Sequence, residues 1–363
     1  MKKVLMCCGA FVNQRHLNPA VHKHDKKSLT LVAHFFNASS QTRGLLYYPH
    51  SRTFPARSFV FLELSLLRQR SSRLLGGQMI SSSNPPRQKP SFLQRIKVAC
   101  LDVRTRHGKS RHHVVYGSHV MKGKSSRPME DHIVCEIKCL KEHDVGLFAV
   151  FDGHLGHEVS CYLQANLFNN ILNQPAFWTD PSSAITNGYL QTDATILLKS
   201  AELGTGGSTA LTAIVIDGAS VYVANVGDSR AVICRAGVAT PITVDHDPIS
   251  ERSSVQSKGG YITVLPGDVP RVNGQLAVAR AFGDKNLKAH LRSDPDVYCL
   301  LIQKTDEFLI LASDGLWKVI ENQVAVDLVR RTKDPKAAAK QLVDYAIREN
   351  SKDDISCVVV RFH

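Results

Sequence analysis

The stretch Phe148-Ala149-Val150-Phe151-Asp152-Gly153-His154 constrains this chain most. An apolar run ends abruptly in an acid, a glycine and an imidazole. From Glu158 to Leu172 apolar residues then recur three and four apart, the period of an amphipathic helix. A buried strand thus delivers polar groups to its own open end. A carboxylate, a backbone able to bend sharply and a group titrating near neutrality are what metal-assisted chemistry at a strand end requires. Taken alone, the same residues describe an ordinary strand, an Asp-Gly turn and a helix start, so the rest of the chain must supply partners for Asp152 and His154. His157 reads as a surface residue where the helix begins.

From Val114 onward the sequence is a series of short apolar runs divided by turn signals. His132–Ile137, Leu147–Phe151, Thr209–Ile216, Val221–Val226, Ala231–Cys234, Val238–Ile242, Val297–Ile302, Phe308–Ala312 and Ile355–Arg361 read as strands. Asp217-Gly218 and Arg235-Ala236-Gly237 mark two hairpins. Helical spacing covers Glu158–Leu172, Ser182–Lys199, Glu321–Arg331 and Pro335–Asn350, with a shorter helix near Ser250–Lys258. Hairpins interrupted by paired helices predict an α+β protein, with antiparallel sheet under outer helices rather than a parallel doubly wound sheet.

Charge divides the chain. Of the 45 Lys+Arg in 363 residues, 20 precede Val114 against 3 acids, whereas Val114–His363 carries 25 against 29. The net charge of +13 therefore belongs to the N-terminal third, and a nucleic-acid footprint on the remainder loses its support. Residues 1–111, rich in Ser, Arg, His and Pro, read as a basic, largely disordered segment. It fits a transit peptide, a basic tail, or sequence upstream of a later start such as Met79. Residues 112–363 read as one folded domain. Nine cysteines without a repeating spacing point to a reducing compartment. No stretch is long and apolar enough to span a membrane, so the chain reads as an intracellular protein of the cytoplasm or nucleus, or of a plastid or mitochondrion if residues 1–111 are a transit peptide. Cys100 and Arg106 have the spacing of a cysteine-phosphatase loop but lack its glycines and preceding histidine. Gly123-Lys124-Ser125 lacks the glycine placement of a nucleotide P-loop, since Gly117 stands one residue too far away.

Five acid-bearing turns abut apolar strands: Glu130-Asp131, Asp152-Gly153, Asp228, Asp314-Gly315 and Asp353-Asp354. Each alone is an ordinary turn. If the strand ends converge, the carboxylates crowd together and must be neutralised by cations. Oxygen donors without a Cys or His cluster imply hard ions, Mg²⁺ or Mn²⁺. A pair of such ions can hold a bridging water for in-line attack on phosphorus, which predicts phosphoester hydrolysis.

Arg-Pro-Met-Glu-Asp (127–131), Phe-Asp-Gly-His (151–154), Gly-Gly-Ser-Thr-Ala (206–210), Ala-Asn-Val-Gly-Asp-Ser-Arg (224–230), Arg-Val-Asn-Gly-Gln-Leu-Ala-Val-Ala-Arg-Ala-Phe-Gly-Asp (271–284), Ala-Ser-Asp-Gly-Leu-Trp (312–317) and Asp-Asp-Ile-Ser (353–356) resemble, in order, the signature blocks of the type 2C metal-dependent serine/threonine protein phosphatases, the plant members above all. The resemblance covers Tyr116 to His363 and makes residues 112–363 the catalytic domain. It implies a four-layer sandwich of two antiparallel β-sheets flanked by pairs of α-helices, with two Mg²⁺ or Mn²⁺ ions at one end. It also implies that Asp152 bridges both ions, the Gly153 carbonyl binds the first, and Glu130, Asp314 and Asp353 bind the second, with Asp131 acting directly or through water. Metal-bound hydroxide would be the nucleophile and His154 the general acid. Phosphorylated proteins would be the substrates of a monomeric enzyme.

Three departures qualify the match. The phosphate-binding Arg of the family stands four residues before the metal-binding Glu, whereas Arg127 stands three before Glu130, leaving the role to Arg127 or to Lys124. Many relatives hold a third metal through Asp228, Asp314 and an acid four residues later. Here that last position is Lys318, whose ammonium should weaken a third cation or replace it. Members that bind abscisic-acid receptors insert a flap Trp. Trp178 and Trp317 both lie outside the corresponding segment, Asp245 to Asp284, so that partnership is not expected. An inactive, partner-binding relative is the competing reading, and retention of Glu130, Asp131, Asp152, Asp314 and Asp353 weighs against it.

Overall fold

The computed structural model describes residues 112–363. The basic segment 1–111, with Cys100 and Arg106, lies outside the described residues. In chain order the first elements are strands β1 (Val114–Met121), β2 (His132–Leu140), β3 (His143–Phe151) and β4 (Gly153–His154). Helices α1 (Glu158–Leu172), α2 (Pro181–Leu198) and α3 (Ser200–Leu203) follow. Strands β5 (Gly207–Ser208), β6 (Ala210–Ile216), β7 (Ser220–Val226), β8 (Arg230–Arg235) and β9 (Val238–Pro241) lead to helix α4 (Arg252–Ser257). Next come β10 (Ile262–Thr263), β11 (Arg271–Val272), β12 (Phe282–Gly283), β13 (Asp296–Leu301) and β14 (Asp306–Ala312). Helices α5 (Asp314–Trp317), α6 (Asn322–Val329) and α7 (Pro335–Arg348) precede the last strand, β15 (Ile355–Phe362).

Two five-stranded antiparallel sheets carry the fold, ordered β1-β15-β14-β8-β9 and β13-β7-β6-β3-β2. Along β3 successive side chains part to opposite faces. Leu147, Ala149 and Phe151 pack with α1 and α2, while Phe148 and Val150 meet Ile233, Leu309, Leu311, Val358 and Val360 of the other sheet. The outer face of that second sheet, with Phe308, Ile310, Cys357 and Val359, packs under α6 and α7 through Val326, Val329, Leu342 and Val343. Both faces of the central strands are thus buried, and this explains why β3, β14 and β15 are continuous apolar runs instead of alternating ones. The result is the four-layer α+β sandwich expected. Among the described residues no helix is long and apolar enough to cross a membrane.

Two helix starts follow from Asp-Pro pairs. Asp180 accepts a hydrogen bond from the Ser183 N–H and Asp334 accepts from those of Lys336 and Ala337, with proline in the first turn of each helix. The predicted helix near Ser250–Lys258 is shorter, and α6 stops at Val329 instead of running to Arg331. Strand β1, which periodicity did not reveal, pairs along its whole length with β15. Gly117 on β1 lies against the first turn of α7, where a Cβ would stand 2.2 Å from the Lys336 nitrogen. Close approach of strand to helix is what this glycine serves, and it has no part in holding a phosphate.

Candidate active site

All five acid-bearing turns lie on segments that the two sheets bring to the same end. Asp152 follows β3, Asp228 lies between β7 and β8, Asp314 follows β14, Asp353 precedes β15, and Glu130-Asp131 leads into β2. Carboxylate oxygens of Asp152, Asp228 and Asp314 lie within 4.8 Å of one another. Asp131 is buried beside them, and among the described residues its side-chain oxygens have no well-formed hydrogen bond, the Ser313 and Ser356 hydroxyls being the nearest donors. Asp314 Oδ1 likewise lacks one.

The electrostatics are those of crowded acids. Burial, aided by the charge of Asp314, pushes Asp228 up to about 7. Burial also pushes Asp131 up to about 7, with Asp354 and Asp314 contributing. Asp152 is held well above the usual carboxylate range by its enclosure and then by Asp131, Asp314, Asp228 and Asp353. At neutral pH such a group retains protons or takes up cations. The donor set is all oxygen, several atoms are unsatisfied, and the mutual repulsion is large, so these residues fit hard divalent ions.

The other predicted residues differ in placement. The Glu130 carboxylate accepts the Gly156 N–H at 2.6 Å, and its second oxygen is 3.7 Å from Arg127, a guanidinium with 61% of its side chain exposed. Lys124 donates to Asn350 Oδ1 at 2.7 Å and does not reach the acids. Asp353 is exposed, and its Oδ2 pairs with Lys318 at 3.1 Å. The same ammonium is 2.5 Å from Asp314. Gly153 is buried, with its backbone in β4. His154 is half-buried and bonded to Asp284. His157 is exposed at the start of α1, as its sequence context implied. A shallow groove of about 650 Å³, lined by Arg230, Trp317, Lys318 and Asn322, runs beside the cluster.

The family profile described as Protein phosphatase 2C matches residues 115–355. The chain belongs to the protein phosphatase 2C family. Membership makes it a metal-dependent serine/threonine phosphatase. It is 58% identical over 250 residues to probable protein phosphatase 2C 58 of Arabidopsis thaliana, covering 69% of this chain and 88% of that one. It is 55% identical over 285 residues to probable protein phosphatase 2C 44 of Oryza sativa subsp. japonica, covering 76% and 89%. Among solved structures it resembles a sex determining protein of C. elegans, with a TM-score of 0.61 at 26% identity over 73% of this chain and 69% of that one. A serine-threonine phosphatase 2C from Toxoplasma gondii shares the fold, with a TM-score of 0.62 at 23% identity over 68% of this chain and 94% of that one.

Several residues that build this phosphatase 2C site had no role assigned from the sequence. Asp354 takes the Gly123 N–H at 2.6 Å on one oxygen and the Glu130 N–H at 2.8 Å on the other, so it clasps the loop before β2 to the start of β15. Thr209 exchanges hydrogen bonds with the Asp152 backbone at 2.9 and 3.1 Å, and its hydroxyl meets Ser229 at 3.0 Å. Ser208 donates to the Asp152 carbonyl at 3.1 Å. The Gly-Gly-Ser-Thr-Ala block is thus the brace that fixes where β3 releases Asp152. Asp-Asp at 353–354 and the position of Ser-Thr inside a quoted block were the available signals.

Proposed function

We propose that this phosphatase 2C hydrolyses phosphoserine and phosphothreonine in proteins, with His154 as general acid and Arg127 as the phosphate grip. The observation that carries the reading is the convergence of Asp152, Asp228 and Asp314 within 4.8 Å beside the buried, weakly satisfied Asp131. Glu130, Asp131, Asp152, Asp314 and Asp353, with the Gly153 carbonyl, would hold two ions, Mg²⁺ or Mn²⁺, and Asp228 would stand beside them at the position where relatives hold a third. When bound, such ions supply Lewis acidity and lower the pKa of the attacking water.

The chain's own groups do the rest. Arg127, exposed and only loosely paired with Glu130, can turn its fork onto two phosphate oxygens, a geometry a lone ammonium lacks. Lys124, already engaged by Asn350, is the weaker candidate. His154, two residues beyond Asp152, is held by a carboxylate on one nitrogen and can protonate the serine or threonine oxygen as it departs. This chemistry calls on no cysteine nucleophile. Among the described cysteines, Cys234, Cys299 and Cys357 are buried in the cores, and burial pushes the Cys234 thiol up to about 11.

Phosphate release from a phosphothreonine peptide tests the reading. Activity is expected with Mn²⁺, none with excess EDTA, and a loss of about 10²-fold or more in Asp152→Asn. Activity surviving either the chelator or the substitution sinks the metal assignment.

A further inference from the structure

Asp284 is 3% exposed. Among the described residues its carboxylate has one hydrogen-bonding partner, His154 Nε2, 2.9 Å from Oδ1 and 2.8 Å from Oδ2. A carboxylate removed from water is costly unless something answers its charge and lone pairs, so this contact is the reason the group is tolerated there.

The chain invests heavily in bringing the two together across 130 residues of sequence. A small three-stranded sheet, ordered β12-β5-β4, sets Phe282 and Gly283 against Ser208 and Gly207, and these against Gly153 and His154. Asp284 follows β12 directly. Its N–H donates to the Gly206 carbonyl at 2.8 Å, and its φ of +48° is a conformation that side-chain-bearing residues avoid. Asp193 on α2 braces the turn, accepting the Gly283 N–H at 2.9 Å and pairing with Lys288 at 3.0 Å. Gly207 lies between the partners. A Cβ there would stand 2.2 Å from Asp284 Oδ2 and 2.6 Å from His154 Nε2, so its bareness is what lets carboxylate and imidazole meet.

We propose that Asp284 is the positioning residue for His154. Its carboxylate accepts the Nε2–H, fixes the ring plane and leaves Nδ1 as the nitrogen that faces the leaving oxygen. In the step served, the oxygen of the attacking hydroxide forms a bond to phosphorus as the bond from phosphorus to the serine or threonine oxygen breaks, and the electron pair of the broken bond stays on that oxygen. The oxygen takes the Nδ1 proton, and the ring is left neutral with Nε2–H still on Asp284. This rests on the reading of His154 as general acid.

The test compares kcat and KM of His154→Ala, Asp284→Ala and Asp284→Asn, with Mn²⁺ present, on a phosphothreonine peptide and on p-nitrophenyl phosphate. The aryl oxide leaves without a proton and the threonine alkoxide does not, so loss of an oriented acid falls on the peptide. Asp284→Ala is expected to lower kcat on the peptide by about 10- to 100-fold at little cost in KM, and to cost p-nitrophenyl phosphate far less. Asp284→Asn keeps an acceptor oxygen and should recover part of the loss. Equal losses on both substrates in Asp284→Ala, or none, while His154→Ala shows the split, overturn the role of Asp284 alone. No split in His154→Ala overturns the acid assignment and this proposal with it. Gly207→Ala, which keeps both charged groups but wedges a methyl between them, supplies the second arm if Asp284→Ala fails to fold. The same split supports the proposal, and equal losses on both substrates overturn it.

Discussion

Lys318 illustrates how one side chain can reset a site whose other residues are in place. Its ammonium touches Asp314 and Asp353, two of the acids proposed to hold metal. Desolvation pulls its pKa down, but the charges of those two acids outweigh it and hold the group above its ordinary value. A tethered monovalent cation therefore already neutralises part of the cluster. Two unit charges about 4 Å apart interact by about 1 kcal/mol in water and about 4 kcal/mol near a protein surface, so displacing or accommodating this ammonium is a measurable cost to any incoming ion. Lys318→Gln is expected to bind Mn²⁺ about fivefold tighter or more, read by calorimetry on protein first stripped with chelator. Lys318→Asp should raise the number of ions bound by one. Unchanged affinity and stoichiometry in both variants would show that the ammonium swings clear at no cost.

The segment from Asp245 to Asp296 shows what an element can and cannot disclose in its letters. Apart from the helix near Ser250–Lys258 its sequence reads as loop, because its order is set by charge contacts between distant residues. Arg280, 5% exposed, pairs with Glu251 and, at 3.2 Å, with Asp296. His246, 2% exposed, meets the same Asp296 at 3.2 Å. Hydrogen bonding from His246, then the charge of Arg280, holds the Asp296 carboxyl down at about 2. A carboxyl depressed below its unfolded value of 3.8 contributes stability that is present above about 4 and lost as pH falls towards 2. Urea unfolding of wild type and Asp296→Asn should show a stability gap at pH 5.5 that narrows steadily below pH 4. A gap independent of pH would assign the effect to shape instead of charge. The hairpins make the complementary point. Ala236 and Gly237, both with positive φ, join β8 to β9 through a turn the glycine announces. Lys141 and Glu142 adopt the same left-handed conformation between β2 and β3 with no glycine or asparagine, so the turn and the first residues of β3, ahead of the run read at Leu147–Phe151, were illegible. The contacts of Asp284 and Asp354, though both stand in quoted motifs, were hidden for a related reason: their partners, His154 and the loop before β2, lie 130 and more than 200 residues away.

On the scale of the whole molecule, the sandwich and the site make opposing demands. The central core, including Phe148, Leu309, Leu311 and Val358, binds the two sheets through fully buried apolar side chains. The same sheets deliver Asp152, Asp228 and Asp314 to one end, where their charges repel. Apolar runs that end in acids made this arrangement readable in outline, because burial on both faces of the central strands confines their polar residues to the ends. Occupation by metal should therefore stabilise the entire fold, since the acids come together only in the folded chain. At a Mn²⁺ concentration 100 times the dissociation constant, linkage gives about 2.7 kcal/mol per site, seen as a rise in unfolding temperature that EDTA reverses. Asp152→Asn should lose most of that increment. Leu309→Ala serves as the contrast: about 2–5 kcal/mol is lost from the baseline while the rise with Mn²⁺ persists, because the cavity lies in the core and not among the ligands. A Mn²⁺ increment that vanished in Leu309→Ala and survived in Asp152→Asn would place the ion-binding energy elsewhere than at the carboxylate end.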